Sequence, residues 1–410
     1  MNWEYSRRDF LAGVLATGTL AAVGTYFSPG GRPAPSIRLR MVTGADPTGA
    51  RDLLINTWNR ANPNAQVETR VIEGSTFEQR SEMISAVKNG GADILNLDII
   101  NIPHFQKNDY IAPIDLNADD FLDESLLTSR LGDPYSTTFW AVPFNADVGM
   151  LFQRKPPGEQ RAGEDGPALT AVIDDPALDG SHQFAGQLRP ESSSSYEAFA
   201  VNVLEHALSR DPDILTGNTA LPASELERWQ HSLQPVRDAV KAGRVTLCNG
   251  EDDTEEEFRT APRTFMRNWP VKYRILQKFG DADAAKSQIR VGKLPVGVLG
   301  GQSLALVKAS PNQSQATALI HFLTSLESQK ILASYGLAAT RTLPYTDQNL
   351  KAFIPHLETV RGAIEDARPR PIHPNYAEFS AAFVGPLKRM LVNDEDLTTA
   401  FVEAIQKTLK

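Results

Sequence analysis

Between Ile37 and Asp98 the apolar residues switch repeatedly between two spacings, and few folds accept that pattern. Ile37, Leu39 and Met41 alternate with Arg38 and Arg40, the period of two that gives a strand one buried side. Thr43-Gly44-Ala45 reads as a loop. Asp46-Pro47 reads as the cap and first residue of a helix with Leu54, Trp58 and Ala61 on one face, ending at Asn62-Pro63. Residues 67–72 give a second strand, 76–88 a second helix, and Asp93-Ile94-Leu95-Asn96-Leu97-Asp98 a third, aliphatic strand. Strands alternating with helices imply a mostly parallel sheet. Such sheets take their ligands beyond the carboxyl ends of the strands, which nominates the loop from Thr43 to Asp46, with Gly44 in it, and Asp98. Asp98 has a competing reading as a helix cap before Ile102.

Downstream the pattern loosens and then returns. Thr138 to Asn145 reads as a strand interrupted by Pro143, which cannot donate to a central ladder, and so as a crossing between domains. Residues 154–190, rich in glycine, proline and charge, read as a loop-dominated insertion. Ser194-Ser195-Tyr196-Glu197 has capping-box spacing and opens a helix with Phe199, Val203 and Ala207 on one face. A helix over 223–240 contains Pro235 and is expected to kink or divide there. Thr254-Glu255-Glu256-Glu257 repeats the capping-box spacing, starting a helix that Pro262 ends or kinks.

That helix leads to Phe265-Met266-Arg267-Asn268-Trp269-Pro270, where Pro270 biases Trp269 toward an extended backbone and turns the indole out of regular packing. An indole so placed can stack on the apolar face of a sugar ring while its N–H stays available to a polar partner, or it can be a core tryptophan beside a helix end. Residues 289–294 read as a connecting strand. Gly300-Gly301-Gln302 then opens an alternating strand to Val307, glycine pairs serving either close backbone approach or a turn. Ala316, Leu319, Ile320 and Leu323 line one helix, Ser325 caps another that ends at Gly336, and 376–410 reads as helical with Phe379, Phe383 and Leu387 together.

The whole sequence has 410 residues, which exceeds a usual single core and favours two domains. A formal net charge of −9 argues against nucleic acid and against an anionic membrane surface. With Cys248 as the single cysteine, neither an intramolecular disulfide nor a multi-thiolate metal site can be built. Ser6-Arg7-Arg8-Asp9-Phe10-Leu11 places two arginines before an uncharged apolar run over 11–27, which resembles a twin-arginine export signal. A membrane-spanning helix is the other reading of that run, whose length is close to the roughly 17 residues at the short end of a span.

Taken together, five separated motifs resemble the extracellular solute-binding proteins of ABC importers, in the large class of maltose, trehalose and sucrose receptors. They are Ala92-Asp93-Ile94-Leu95 to Asp98, Gly186-Gln187 followed by Tyr196-Glu197-Ala198-Phe199, Phe265 to Pro270, Gly300-Gly301-Gln302, and Ala316 to Gly336. The resemblance implies an α/β, two-lobed periplasmic-binding-protein-like fold with crossover hinge strands, closing on sugar. On it, 1–36 is the signal or anchor segment, 37–142 with 299–342 the first lobe, and 143–298 with 343–410 the second. It places the stacking tryptophan at Trp269, the strand-end aspartate at Asp98, backbone contacts at Gly300 and Gly301, a polar position at Arg341 and a glutamate at Glu197, while Gln302, Asn268, Gly44 and Asn145 complete the candidate ligand groups.

The implied partners are a small sugar and the permease subunits of an importer, for an exported monomer that approaches the membrane through its signal segment and uses no cofactor, metal or nucleic acid. Met150-Leu151-Phe152-Gln153-Arg154 departs from the Tyr-Asn-Lys-like run of the family, and no cysteine directly follows 11–27, so the lipid-anchored form is not expected. Two other functions fit the residues: a receptor for a different small solute, and a secreted hydrolase drawing paired carboxylates from Asp98, Glu197 and the acidic run at 251–257. Replacing Arg7 and Arg8 together by lysine is expected to leave the protein in the cytoplasm, scored by cell fractionation; undiminished export would refute the twin-arginine reading.

Overall fold

The computed structural model describes residues 36–154, 184–191, 196–215, 222–261, 264–278 and 289–410. The paired arginines, most of the 154–190 segment, and Ser194 and Ser195 lie outside the described residues. The chain forms two compact units, one taking the described residues up to Ala146 with Gly300–Leu357, the other Asp147–Leu299 with Glu358–Lys410.

In the first unit the chain runs through β1 (Ile37–Gly44), α1 (Ala50–Ala61), β2 (Ala65–Ile72), α2 (Thr76–Lys88), β3 (Ile94–Asp98), α3 (Ile102–Lys107), β4 (Ile111–Ala112), α4 (Asp123–Ser129) and β5 (Val142–Val148). Its path continues as β6 (Met150–Arg154), β7 (Phe184–Gly186), α5 (Tyr196–Arg210), α6 (Pro222–Lys241), β8 (Val245–Leu247), α7 (Glu251–Thr260), β9 (Phe265–Asn268), α8 (Val271–Lys278) and β10 (Ile289–Lys293) in the second. The long strand β11 (Val298–Val307) leads back to α9 (Gln313–Leu323), α10 (Leu326–Ser334) and α11 (Gln348–Phe353). Last come α12 (Leu357–Glu365), β12 (Arg368–Pro369), α13 (Tyr376–Asn393) and α14 (Thr399–Thr408). Two of the three passages between units therefore fall inside continuous strands, β5 and β11.

β1 is parallel to both β2 and β3, as the alternation of strands and helices predicts, while β11 returns antiparallel beside β3 and β4. Leu39, Met41, Val42, Ile94, Leu95 and Leu97 are fully buried, so the aliphatic run of β3 reads as a strand covered on both faces. Arg40 and the buried Asp93 lock β1 to β3, with the Asp93 carboxylate also accepting from Ser310 and Asn312. In the second unit the order is β10-β6-β9-β7-β8, antiparallel at the first two junctions and parallel at the last two. α5 is buried along most of its length from Ala198 to Leu208, as expected of a helix apolar nearly all round.

Several local expectations give way to stronger local physics. Asp46 does not start α1. Its carboxylate takes the amide and hydroxyl of Thr48 and the amide of Arg51, so the helix begins at Ala50 behind Gly49 and Pro47 lies outside it. Thr254 is likewise no cap: α7 starts at Glu251 behind an extended Gly250, with three acids in its first turn to complement the helix dipole. The Thr254 hydroxyl donates instead to the Gly250 carbonyl, and the helix ends at Thr260.

α6 runs through Pro235 as one helix. A proline there costs about 3 kcal/mol, and burial of Trp229, Leu233, Val236 and Ala239 offsets it. The C-terminal region is two helices, because Asp394 adopts a left-handed conformation and is held by Arg237 and Lys241 of α6. β7 occupies part of the segment expected to be loop, and β5 begins only at Val142, with Phe139 reduced to a lone bridge to Ile114.

The third passage between units lies beyond residue 342 because Asp347 caps α11 and pairs with Lys330, and the Tyr345 hydroxyl donates to the Ala339 carbonyl. Gly336 closes α10 in the left-handed conformation expected, its amide bonding Ala333 while that of Leu337 bonds Leu332.

Gly301 has φ of 122°, and an added methyl would overlap the Asn145 carbonyl oxygen and come within 3.0 Å of Ala146 Cα. Gly301→Ala should therefore cost roughly 3 kcal/mol from strain and overlap combined. Gly90→Ala, at φ of 63° with nothing within 4 Å, should cost only about 1 kcal/mol. Denaturant unfolding of the two variants reads the difference directly.

Candidate functional site

In the first unit Gly44 and Asp98 stand at the carboxyl ends of β1 and β3, with Gln302 of β11 beside Asp98. Register pairs Gln302 of β11 with Asp98 of β3, which puts both side chains on one face of the sheet. Asn96, two residues back and on the same face, donates to the Gln302 side-chain oxygen at 2.6 Å and to the Thr43 hydroxyl at 3.1 Å. Thr43 also accepts from the Arg51 guanidinium at 2.7 Å. Arg51 is 3% exposed, and burial pulls its pKa down while Asp46 and Asp52 work against that. The edge is thus a relay of buried polar groups behind a half-exposed Gln302.

Asp98 caps the short 3-10 turn Ile99–Asn101, its carboxylate accepting from the Ile100 amide at 3.2 Å. A methyl at Gly44 would meet the side-chain oxygen of Gln79 at 2.5 Å, the end of a flexible side chain that can move aside. The Asn145 carbonyl is what Gly301 approaches, so the glycine's close contact is to backbone of its own unit; Gly300 beside it is buried. Arg341 lies over the Phe121 ring at 4.0 Å, donates to the Thr324 carbonyl at 2.7 Å and faces Asp120 at 3.6 Å. Burial lowers its pKa, against the pull of Asp120.

In the second unit β9 ends in Asn268 and delivers Trp269 half-exposed, settling neither for a core ring nor for a free one. The indole N–H, expected to stay available, donates to the Glu251 carboxylate at 3.0 Å. One ring face lies against the Arg267 guanidinium, 4.0 Å from its carbon. Asn268 is fully buried: its side chain donates to the Glu251 carbonyl at 2.9 Å and accepts from the Trp269 amide at 3.0 Å. Through these bonds it holds the Trp269 backbone to the start of α7. Glu197 sits in the first turn of α5 with both carboxylate oxygens engaged, by Arg370 and Tyr376 at 2.9 Å and Ser380 at 2.7 Å. It ties α5 to α13 and is not a spare acid.

The residues that sequence reading passed over are Arg267 and Glu205, both 0% exposed and joined by a fork of 2.6 and 2.7 Å. A signal existed for each: an arginine inside the apolar Phe265-Met266 strand, and a glutamate directly after the largely apolar run from Ala198 to Leu204. Among the described residues no helix is long and apolar enough to cross a membrane, and no cluster of histidine, cysteine or carboxylates has metal-site geometry.

Residues 54–351 match the family described as bacterial extracellular solute-binding protein, and the chain belongs to that family. A curated relative from Deinococcus radiodurans, named a probable ABC transporter-binding protein, is 32% identical over 152 residues, 34% of this chain and 35% of its own length. The match thus spans about a third of that relative. The maltose-bound MalE3 of T. maritima superposes over 91% of this chain and 99% of its own, with a TM-score of 0.75 at 23% identity. The GacH receptor of Streptomyces glaucescens does so over 92% and 99%, at 0.74 and 17%. UgpB of Mycobacterium tuberculosis, in complex with glycerophosphocholine, covers 92% and 98%, at 0.71 and 13%. At these identities the likeness establishes the fold.

Beside Glu205 on α5, His206 is buried edge-on to Phe184, and burial followed by Arg267 lowers its pKa to about 3; burial lowers that of His356 in the first unit to about 4. Unfolding lets both take up a proton near 6.5, so stability is complete above that pH and drains away as pH falls toward 4 and 3. The loss should be of order 1–2 kcal/mol per histidine by pH 5. Urea unfolding at pH 8 and pH 5 should show it, and His206→Gln with His356→Gln should flatten the change.

Proposed function

We propose that the protein is the extracytoplasmic receptor of an ABC importer, binding a di- or oligosaccharide without chemical change and handing it to the permease subunits. Family membership supports the receptor role, and the superposition on proteins described as maltose-bound and acarbose-bound supports the sugar. One observation carries the reading further: Trp269 is half-exposed yet fixed, by Glu251 on its N–H and Arg267 on one face. A rigid aromatic ring with a wet side suits the C–H face of a pyranose, whose burial removes apolar surface at little entropic cost. Asp98 and Gln302 in the first unit are the polar groups assigned to hydroxyl recognition. The hydrolase alternative loses support because Glu197, one of its acids, is saturated by three donors.

A thermal-shift screen over trehalose, maltose, sucrose and glycerophosphocholine identifies the solute class, since a ligand at 100 times its Kd adds about 2.7 kcal/mol to apparent stability. Calorimetric titration of Trp269→Ala should then show affinity lost about tenfold or more, near 1.4 kcal/mol, at a nearly unchanged melting temperature. A collapse in stability of about 3–5 kcal/mol would return the ring to the core. Product formation from any of these sugars would refute the non-catalytic role.

A further inference from the structure

We propose that Arg267 and Glu205 are positioning residues, a buried pair that sets the plane of the Trp269 indole and ties it to the backbone where the chain enters and leaves the second unit. This rests on the reading of Trp269 as the sugar contact.

A charged strand residue with no exposure needs a reason, since a well-packed apolar side chain is often as stable in place of a buried ion pair. Glu205 grips Arg267 through Nε and Nη2, and Gln187 approaches Nη1 at 3.4 Å. Gln187 itself is held, donating to the Thr254 hydroxyl and the Arg267 carbonyl at 2.9 Å each. With its edges occupied in this way, the planar guanidinium keeps a face for the indole at 4.0 Å. Lysine could supply the charge but not the plane.

The same carboxylate reaches the backbone at two places. The Val298 amide, at the start of β11, donates to Glu205 at 3.3 Å. Gly149, between β5 and β6, lies so close that an added methyl would overlap the Glu205 oxygen and come within 2.9 Å of Arg267 Nη2. Both residues are within three positions of a passage between units, after Ala146 and after Leu299. The pair thus joins the ring to the ends of the two continuous strands, all inside one unit.

The test compares Trp269→Ala, Arg267→Met with Glu205→Gln, Arg267→Lys, and Leu233→Ala as a remote core control in the same unit. The near-ultraviolet circular dichroism of Trp269, read as each protein minus its own Trp269→Ala derivative, reports ring order without any ligand. Titration with trehalose, maltose and sucrose reports affinity. The neutral double variant should keep its fold, lose most of the Trp269 signal and bind about tenfold more weakly or worse. Leu233→Ala should lose stability but keep both readouts. A double variant with wild-type signal and affinity overturns the proposal, as does an equal affinity loss in Leu233→Ala. If the double variant does not fold, Arg267→Lys decides: retained Trp269 signal and affinity overturn the pair's role, and their loss supports it. Should Trp269→Ala bind sugar normally, the sugar contact is wrong, while the ligand-free signal still judges the positioning pair.

Discussion

Two full charges without access to water set the terms for the second unit. Desolvating a guanidinium and a carboxylate costs several kcal/mol for each ion, recovered only if the geometry is good and the remaining donors are met. Arg267 and Glu205 meet that demand with a two-point fork, and the neighbourhood is shaped around it: Gln187 oriented by Thr254, Gly149 barred from any larger side chain, and His206 kept neutral alongside. Losing one partner strands the other, at about 3–5 kcal/mol. The strand and the helix that carry the pair are among the most deeply buried elements of their unit, so the ring at the strand's end inherits their rigidity.

The first unit solves a different problem. Its sheet ends in polar side chains that cannot all face water, and it resolves them as a hydrogen-bonded chain from Arg51 through Thr43 and Asn96 to Gln302. Among the described residues the Arg51 guanidinium donates to the Thr43 hydroxyl, and the carboxylates of Asp46 and Asp52 offset part of its burial. Rigid backing behind a partly exposed amide is what selective recognition of a neutral polar solute requires, since few groups carry the orientation. In both units, then, a partly exposed side chain stands on a buried polar scaffold.

How much of this could be read from sequence follows from the range of the interactions. The strands around Leu39 and Ile94 depend on local apolar patterning, alternating in one and continuous in the other, and were legible, as was the helix over 76–88, which a Ser75–Glu78 capping box starts. Cap residues were less so, because Asp46 and Thr254 carry the right side chains but bond in a different register from the one spacing suggested. Pro235 and Asp394 show tertiary packing overruling local propensity in opposite directions, one helix continuing and another stopping. For the site, Trp269 and its neighbours were visible as an unusual run, whereas Arg267 and Glu205 are 62 residues apart on a strand and a helix, beyond any local pattern.

One consequence of the discontinuous first unit concerns how the chain is made. β3 lies between β1 and β11, and Asn96 finds its partner only in Leu304, more than 200 residues later. At the roughly 5–20 residues per second of synthesis, the aliphatic edge of β3 leaves the ribosome on the order of 10–40 s before the strand that covers it. During that interval an open edge of Ile94, Leu95 and Leu97 is a template for wrong pairing. Mutations that slow synthesis between β4 and β11 would therefore lengthen that exposure without touching the stability of the finished protein.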